Sequence, residues 1–293
     1  MPYTMNTFQP VMRQAIQPIV PYNLIQGIRL VHALMESDFE IYIPMEHVGK
    51  FTKLQDRFGA KFHEGVYDAI PIVSLQLNHK NPVTSIGSIE RPLIFPHAIV
   101  RHCKTVWKHK RNIRVSFAGL ITSQRQAVIS KYCRENLGKN IKELPNLNPL
   151  PHRLHNKVRK LFGKYSVGYS TKINELTLWS SLRGRQFPVK AWDDDYFELL
   201  SRSQFVLCPS GDYVWSYRFF EAVLCGAIPI VEEPCEAYNG FIFHTMDDRL
   251  SNLKWSREAS EHNYDICCNR ITVPIHEINN ELAILLSQLE NPA

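Results

Sequence analysis

The sequence predicts an α/β protein built as two successive α/β units, because segments with helical apolar spacing alternate twice with short apolar strands. The chain has 293 residues, of which 44% are hydrophobic and 21% are charged. This length and composition fit one large or two modest domains with a sizeable buried core. We place the junction between the two units near residues 101–111.

The first unit is predicted to start with an irregular lead-in over residues 1–22, which holds four prolines and one short strand. Helices and strands then alternate, and each assignment rests on apolar spacing or on a glycine or proline that ends the element. In chain order we expect a helix over residues 24–35, a strand over 39–44, a helix over 47–58 closed by Gly59, and buried strands over 69–77 and 92–100.

The second unit repeats the alternation after Lys110. Its helices carry clear terminal signals, with Ser123 expected as one N-cap and Gly226 expected to end another helix. In chain order we first expect a strand over residues 113–119, a helix over 123–136 and a loop over 144–151. A helix starting at Asp193-Asp194-Asp195 and a strand over 205–208 follow. The unit then continues with a helix over 219–225, a strand over 228–231 and a last helix over 275–289.

Charge is unevenly distributed along the chain. The net charge is +6, from 34 Lys and Arg against 28 Asp and Glu. Residues 101–164, the basic band, hold 16 basic and two acidic residues, so they carry +14 and the remainder carries −8. A band of this kind indicates an anionic partner, either a phosphate-bearing small molecule or nucleic acid, or else a solvated basic face.

Several classes of protein are disfavoured by the sequence. No run of 18 apolar residues predicts a membrane span, and the first 22 residues lack the pattern of a signal peptide, so we expect a soluble, cytoplasmic protein. The seven cysteines form no C-x-x-C pair, which favours reduced, buried thiols. The 12 histidines show no zinc-ligand spacing, so no metal site is expected.

The chemistry is concentrated where the strand over residues 205–208 runs into the next helix. Pro209-Ser210-Gly211 allows the backbone to turn closely beneath a ligand, and Ser216 is a good N-cap for the helix that follows. Arg218 and Glu221 lie three residues apart on one helix face. Free N–H groups at a helix start beside an arginine bind anions, and a nearby carboxylate can accept from the two hydroxyls of a ribose. The alternative is a surface Arg–Glu pair on an ordinary helix.

These residues resemble the signature of exostosin-type glycosyltransferases, glycosyltransferase family 47. The resemblance is carried by Cys208-Pro209-Ser210-Gly211, by Ser216-Tyr217-Arg218-Phe219-Phe220-Glu221-Ala222 and by Gly226-Ala227-Ile228-Pro229-Ile230-Val231, with a second match at Val115-Ser116-Phe117-Ala118-Gly119 followed by Arg125. It implies the GT-B fold, in which two Rossmann-like α/β domains face a cleft. We expect an acceptor-binding domain over residues 1–108, a nucleotide-sugar-binding domain over 109–270 and a C-terminal helix over 271–293.

The resemblance also implies roles for individual residues. Arg218 and Arg125 contact the donor diphosphate, Glu221 contacts the ribose, and the remaining predicted donor-site residues lie near the phosphates: Gly119, Ser210, Gly211 and Ser216. The implied reaction is inverting transfer of a sugar from a nucleoside-diphosphate donor, expected to be UDP-linked, to a hydroxyl of a glycan or glycoconjugate. Arginine and the helix dipole stabilise the leaving group, so no metal or other cofactor is expected.

The catalytic base and the acidic triplet leave more than one interpretation. The base is expected in the first domain, and Asp68, His79 and His97 are alternative candidates. Asp193-Asp194-Asp195 suggests a metal-chelating Asp-x-Asp motif, but a helix follows it directly, which favours helix capping.

Two other functions stay open at the level of sequence. The basic band, which includes Trp107, Tyr132 and Phe162, could bind nucleic acid, although it matches no recognition motif. The chain could also be an inactive partner of an active glycosyltransferase, although its intact Arg218 and Glu221 argue against that.

Overall fold

The fold is that of a computed structural model, which describes residues 14–78, 80–108, 110–139, 169–180, 186–211 and 213–290. Two parallel sheets flanked by helices account for most of these residues, and a small antiparallel sheet lies between them in the chain. This arrangement confirms the predicted α/β fold with two units.

The first parallel sheet has the strand order β3-β2-β1-β4 within the described residues. Its strands and the helices between them are β1 (Ala15–Ile19), α1 (Ile25–Leu34), β2 (Glu40–Ile43), α2 (Met45–Val48), α3 (Thr52–Phe58), β3 (His63–Glu64) and β4 (Ile72–Ser74). The predicted helix over 24–35 and strand over 39–44 are confirmed. The single helix predicted over 47–58 is wrong, because the chain turns at Gly49 and Lys50 between α2 and α3.

Two strands expected in the first unit are corrected by the structure. The run over 69–77 divides into β4 and a separate strand, β5 (Gln76–Asn78), and Ile72 is half exposed because β4 lies at the sheet edge. The strand expected over 92–100 is wrong, since helix α4 (His97–Thr105) starts directly after Pro96. The Glu36 carboxylate accepts from the N–H groups of His97 and Ala98, both at 2.7 Å, and so caps this helix from a distant segment.

A three-stranded antiparallel sheet, absent from the prediction, follows the first parallel sheet. It consists of β5, β6 (Val83–Ile86) and β7 (Ile89–Arg91) in that order. The C-terminal helix secures it, because the Glu281 carboxylate accepts from the backbone N–H of Ser88 at 2.6 Å and from its hydroxyl at 3.0 Å.

The second parallel sheet has the order β13-β12-β11-β8-β10-β9 within the described residues, and only β9 runs antiparallel. Its strands are β8 (Ile113–Ala118), β9 (Tyr169–Ile173), β10 (Leu176–Ser180), β11 (Ser203–Cys208), β12 (Ile228–Val231) and β13 (His244–Thr245). The helices of this half are α5 (Ser123–Leu137), α6 (Asp194–Arg202), α7 (Tyr217–Leu224), α8 (Arg257–Ile271) and the terminal α9 (Ile275–Glu290).

Of the two predicted N-caps in this half, Ser216 is confirmed and Ser123 is wrong. Ser216 caps α7 by accepting from the N–H of Arg218 at 3.2 Å, as predicted, and Gly226 follows the helix with a φ of +74°. The cap of α5 is Thr122 rather than Ser123, since the Thr122 hydroxyl accepts from the N–H of Arg125. Helix α8 was not predicted, and the loop expected over 144–151 lies outside the described residues.

The two units share a hydrophobic core instead of packing separately. One cluster of buried side chains joins Ile28 and Ile99 from the first half with Phe219 and Leu282 from the second. The predicted domain boundaries therefore stay predictions. Among the described helices, none has the length and apolar character needed to cross a membrane.

Candidate active site

A cleft of about 1280 Å³ separates the antiparallel sheet from the second parallel sheet. Residues 80–83 of the β5–β6 turn and Arg91 at the end of β7 line one side. The loops that follow β11 and β12 line the other, including the predicted site residues Ser210 and Gly211. The carboxyl ends of parallel strands thus open onto the cleft, as expected for a ligand site in an α/β fold.

Gly119 and Arg218 are in direct contact beside these strand ends. Gly119 follows β8 with a φ of +153°, and a Cβ at this residue would overlap the Arg218 guanidinium. The Arg218 Nε donates to the carbonyl of Ala118, and the guanidinium lies 4.5 Å from the centre of the Phe117 ring. The glycine therefore leaves the space in which Arg218 is held against the end of β8.

Arg125 makes the reciprocal contact with the other loop. It lies on α5, the helix after β8, and its Nε donates to the carbonyl of Ser210 at 3.3 Å while Nη1 donates to that of Leu120 at 3.1 Å. A Cβ on Gly211 would overlap the Arg125 guanidinium. The sequence-predicted residues Gly119, Arg125, Gly211 and Arg218 are thus brought together, each arginine resting on a glycine that follows a different strand.

The start of α7 has the properties of an anion site. Arg218 is 7% exposed, and its Nη1 has no hydrogen-bond partner among the described residues. The backbone N–H of Ser216 is fixed by the Tyr238 hydroxyl at 2.7 Å, so the helix start is held in place. An unmatched, buried guanidinium donor beside a helix N-terminus favours a bound anion.

Glu221 lies one turn further along α7 and is 3% exposed. Its Oε1 forms an ion pair with Arg29 of α1, and its Oε2 accepts from the Tyr196 hydroxyl at 2.5 Å. The carboxylate is therefore held by residues from both halves of the chain, and Glu221 is not among the residues that line the cleft. Its predicted contact with a ribose stays a prediction.

The other titratable groups near this carboxylate are held neutral. Burial raises the pKa of the Cys208 thiol to about 12, with Arg218 lowering it and Glu221 raising it further. Burial also raises the pKa of Tyr217, again with Arg29 and Glu221 nearby.

Several cleft residues were missed at the level of sequence. Glu232 follows β12 and accepts from the backbone N–H of Ser210 at 3.1 Å, so it orients the glycine loop, Pro209-Ser210-Gly211. Glu233 and Tyr213 also line the cleft. The available signal was the position of Glu232 and Glu233 directly after a buried strand, where ligand-facing residues collect.

The three candidate bases are placed differently. Asp68 is exposed in the turn before β4, and His97 lies at the start of α4 with its Nε2 2.9 Å from the carbonyl of Val273. Neither of them lines the cleft. His79 lies outside the described residues and directly precedes Lys80, which does line it. The identity of the base stays a prediction.

The acidic triplet caps a helix, as expected. The Asp193 carboxylate accepts from the N–H of Tyr196 at 3.2 Å, and Asp194 accepts from the Trp192 indole at 2.9 Å and pairs with Arg57 at 3.4 Å. Across the described ranges, no group of three or more His, Cys, Asp or Glu side chains is arranged to hold a metal ion. Metal-independent transfer stays a prediction.

Part of the basic band has a structural role. Arg111 is buried and donates to the carbonyls of Ser203 and Cys225, both at 2.7 Å. Arg114 donates to the carbonyls of Leu250 and Leu253 at 2.9 and 2.6 Å. These two arginines donate to backbone carbonyls within the second unit, while residues 140–164 of the band lie outside the described ranges.

Comparison with known proteins gives a family. The exostosin GT47 domain model matches residues 46–236, well over half of the chain. No curated protein matches the sequence.

Among solved structures, HepE of Anabaena in complex with UDP is similar at 10% identity and a TM-score of 0.48, covering 94% of this chain and 100% of HepE. AviGT4, a glycosyltransferase involved in avilamycin A biosynthesis, is similar at 11% identity and a TM-score of 0.46, covering 96% and 99%. Sucrose-phosphate synthase of Thermosynechococcus elongatus is similar at 10% identity and a TM-score of 0.34, covering 95% and 68%. Because the family model matches most of this chain, the chain belongs to the exostosin GT47 family and is a glycosyltransferase.

Proposed function

We propose that this glycosyltransferase transfers a sugar from a UDP-linked donor to a hydroxyl of a glycan or glycoconjugate, with inversion at the anomeric carbon. The observation that carries the proposal is the pair of reciprocal contacts, Arg218 on Gly119 and Arg125 on Gly211, at the strand ends beside the cleft. Two guanidinium groups and a capped helix start converge there, which suits a diphosphate.

The donor diphosphate lies against the start of α7 in this proposal. The unpartnered Nη1 of Arg218 donates to a phosphate oxygen, and Arg125 adds charge from α5. Glu221 accepts from the ribose hydroxyls. The sugar then extends into the cleft, towards Tyr213 and Glu233.

Transfer follows from this placement as an in-line displacement. The acceptor hydroxyl oxygen forms a bond to the anomeric carbon from the side opposite the diphosphate, and the bond from that carbon to the phosphate oxygen breaks. A base removes the hydroxyl proton, and UDP leaves with the bonding electron pair. The arginines and the helix dipole stabilise the charge that develops on UDP, a contribution of about 3 kcal/mol for each well-placed donor.

The acceptor enters from the side of the antiparallel sheet. The β5–β6 turn and Arg91 form that side of the cleft, and they face the glycine loop across it. Of the three candidate bases, His79 is adjacent in sequence to this turn, so the His79→Gln variant is the first to compare with Asp68→Asn and His97→Gln. The base variant loses turnover and keeps donor affinity.

A screen of nucleoside-diphosphate sugars, with nuclear magnetic resonance of the product, tests the proposal. We expect turnover of a UDP-sugar, release of UDP and a product whose anomeric configuration is opposite to that of the donor. Retention would contradict the inverting mechanism. Binding of the donor without hydrolysis or transfer to any acceptor would favour an inactive partner subunit instead.

A further inference from the structure

We propose that Arg29, from the first half of the chain, is a positioning residue for the donor: it holds the Glu221 carboxylate in the orientation that accepts from the ribose hydroxyls. The inference rests on the proposed function, because it takes Glu221 as the ribose contact. Its structural basis is an ion pair between α1 and α7, whose members are 192 residues apart in the chain.

The Arg29 guanidinium is committed to this one carboxylate. Arg29 is 2% exposed, its Nη2 donates to Glu221 Oε1, and its Nε and Nη1 have no hydrogen-bond partner among the described residues. The ring of Phe95 lies 4.3 Å from the guanidinium and shields it from water. Apart from Glu221, no described residue accepts a hydrogen bond from Arg29.

Such an arrangement is poorly explained by folding stability. Removing a guanidinium from water costs several kcal/mol, and a single ion pair with two donors unmatched recovers this incompletely. Buried ion pairs can often be replaced by apolar side chains of similar volume with little loss of stability. Because Arg29 is buried and Glu221 is its acceptor, we infer that Arg29 has a role in the site to which Glu221 belongs.

The role follows from the chemistry of a buried carboxylate. An ionised carboxylate offers about four lone-pair positions, so Glu221 can accept from ligand hydroxyls in addition to Arg29 and Tyr196. The two contacts, one on each carboxylate oxygen, fix the rotation of the carboxylate.

The test compares UDP with 2′,3′-dideoxy-UDP, which lacks both ribose hydroxyls, by titration calorimetry. The wild-type protein should prefer UDP, and Glu221→Gln should reduce that preference. Arg29→Gln should weaken UDP binding by about 10- to 100-fold, the loss expected for a charged hydrogen bond, and leave dideoxy-UDP nearly unchanged. Arg29→Lys, which keeps the charge, should give an intermediate ratio and serves if the glutamine variant does not fold.

Arg111→Gln is the matched control, because Arg111 is also a buried arginine but donates to backbone carbonyls of Ser203 and Cys225. The thermal stability of Arg111→Gln should fall, while the ratio of its affinities for UDP and dideoxy-UDP should equal that of the wild-type protein. An unchanged ratio in Arg29→Gln, or in Arg29→Lys when the glutamine variant does not fold, would overturn the inference and leave a purely structural ion pair. A wild-type protein that does not bind UDP would instead overturn the proposed function, and an unchanged preference in Glu221→Gln would overturn the ribose contact.

Discussion

Arg218 occupies the space beside Gly119 that a side chain on that residue would fill. The contact joins the helix after β11 to the end of β8, and Arg125 on the helix after β8 makes the corresponding contact with Gly211 after β11. The loop after each of these two strands thus contacts an arginine on the helix that follows the other strand. The two loops and the two cations form one rigid group, which is the preorganisation that binding a diphosphate requires.

Gly119→Ala should abolish nucleotide binding, because the methyl group overlaps the Arg218 guanidinium and displaces it from the site. Gly59→Ala is the control, since Gly59 also has a positive φ, of +66°, but has open space around its Cβ position. Gly59→Ala carries backbone strain of about 1–2 kcal/mol, and Gly119→Ala is strained as well because its φ is also positive. UDP titration should therefore distinguish them, and equal losses of affinity would show that strain alone is responsible.

Arg125→Lys should raise the KM for the donor by about tenfold, since lysine cannot reproduce the planar fork that donates to both Leu120 and Ser210. Arg134→Lys, an exposed arginine on the same helix, should behave as the wild-type protein. Steady-state kinetics at varied donor concentration gives the comparison. An unaltered KM in Arg125→Lys would exclude Arg125 from the donor site.

The free energy of unfolding should fall as the pH is lowered, because His32 is buried in its neutral form. Burial lowers the pKa of His32 to about 3, against about 6.5 in the unfolded chain, so between these values the unfolded state binds the extra proton. Each pH unit below about 6.5 then costs about 1.4 kcal/mol. In urea unfolding at pH 7 and 5, His32→Leu should lose about 2 kcal/mol less than the wild-type protein. Equal losses would show that His32 does not titrate as its burial requires.

Turnover should be insensitive to chelation of divalent cations. Asp193 caps α6 and Asp194 is paired with Arg57, so these two carboxylates already have partners within the protein. We expect the same rate with EDTA as with added magnesium. The exposed Asp194→Asn variant should lose less than about 1 kcal/mol of stability and no activity. A rate that disappears with EDTA and returns with magnesium would contradict metal-independent transfer.

Local signals were sufficient to predict the strand, the loop and the helix that carry the proposed donor site. The strand, the glycine loop, the Ser216 cap and Gly226 lie within a short segment, and each acts on its own neighbours in the chain. The same reasoning failed for α4, where the capping carboxylate is Glu36, about sixty residues before the helix. The segment over residues 92–100 resembled a buried strand because the carboxylate that starts the helix is distant in sequence.

The tertiary partners of the site could not be predicted for the same reason. Nothing in the sequence around Arg29 or Tyr196 indicates that both meet Glu221, since the contacts depend on how α1 and α6 pack against α7. Glu232 was within reach of sequence reasoning, because it directly follows β12 at the edge where ligands bind.

The central claim is that the site around Arg218 binds the diphosphate of a nucleotide sugar. Calorimetric titration of UDP into the wild-type protein and Arg218→Ala tests it most directly, with Arg202→Ala, a partly exposed arginine on α6, as the control for net charge. We predict saturable binding to the wild-type and Arg202→Ala proteins, and an affinity about 10- to 100-fold lower for Arg218→Ala. Equal affinity in all three, or no binding to the folded wild-type protein, would contradict it.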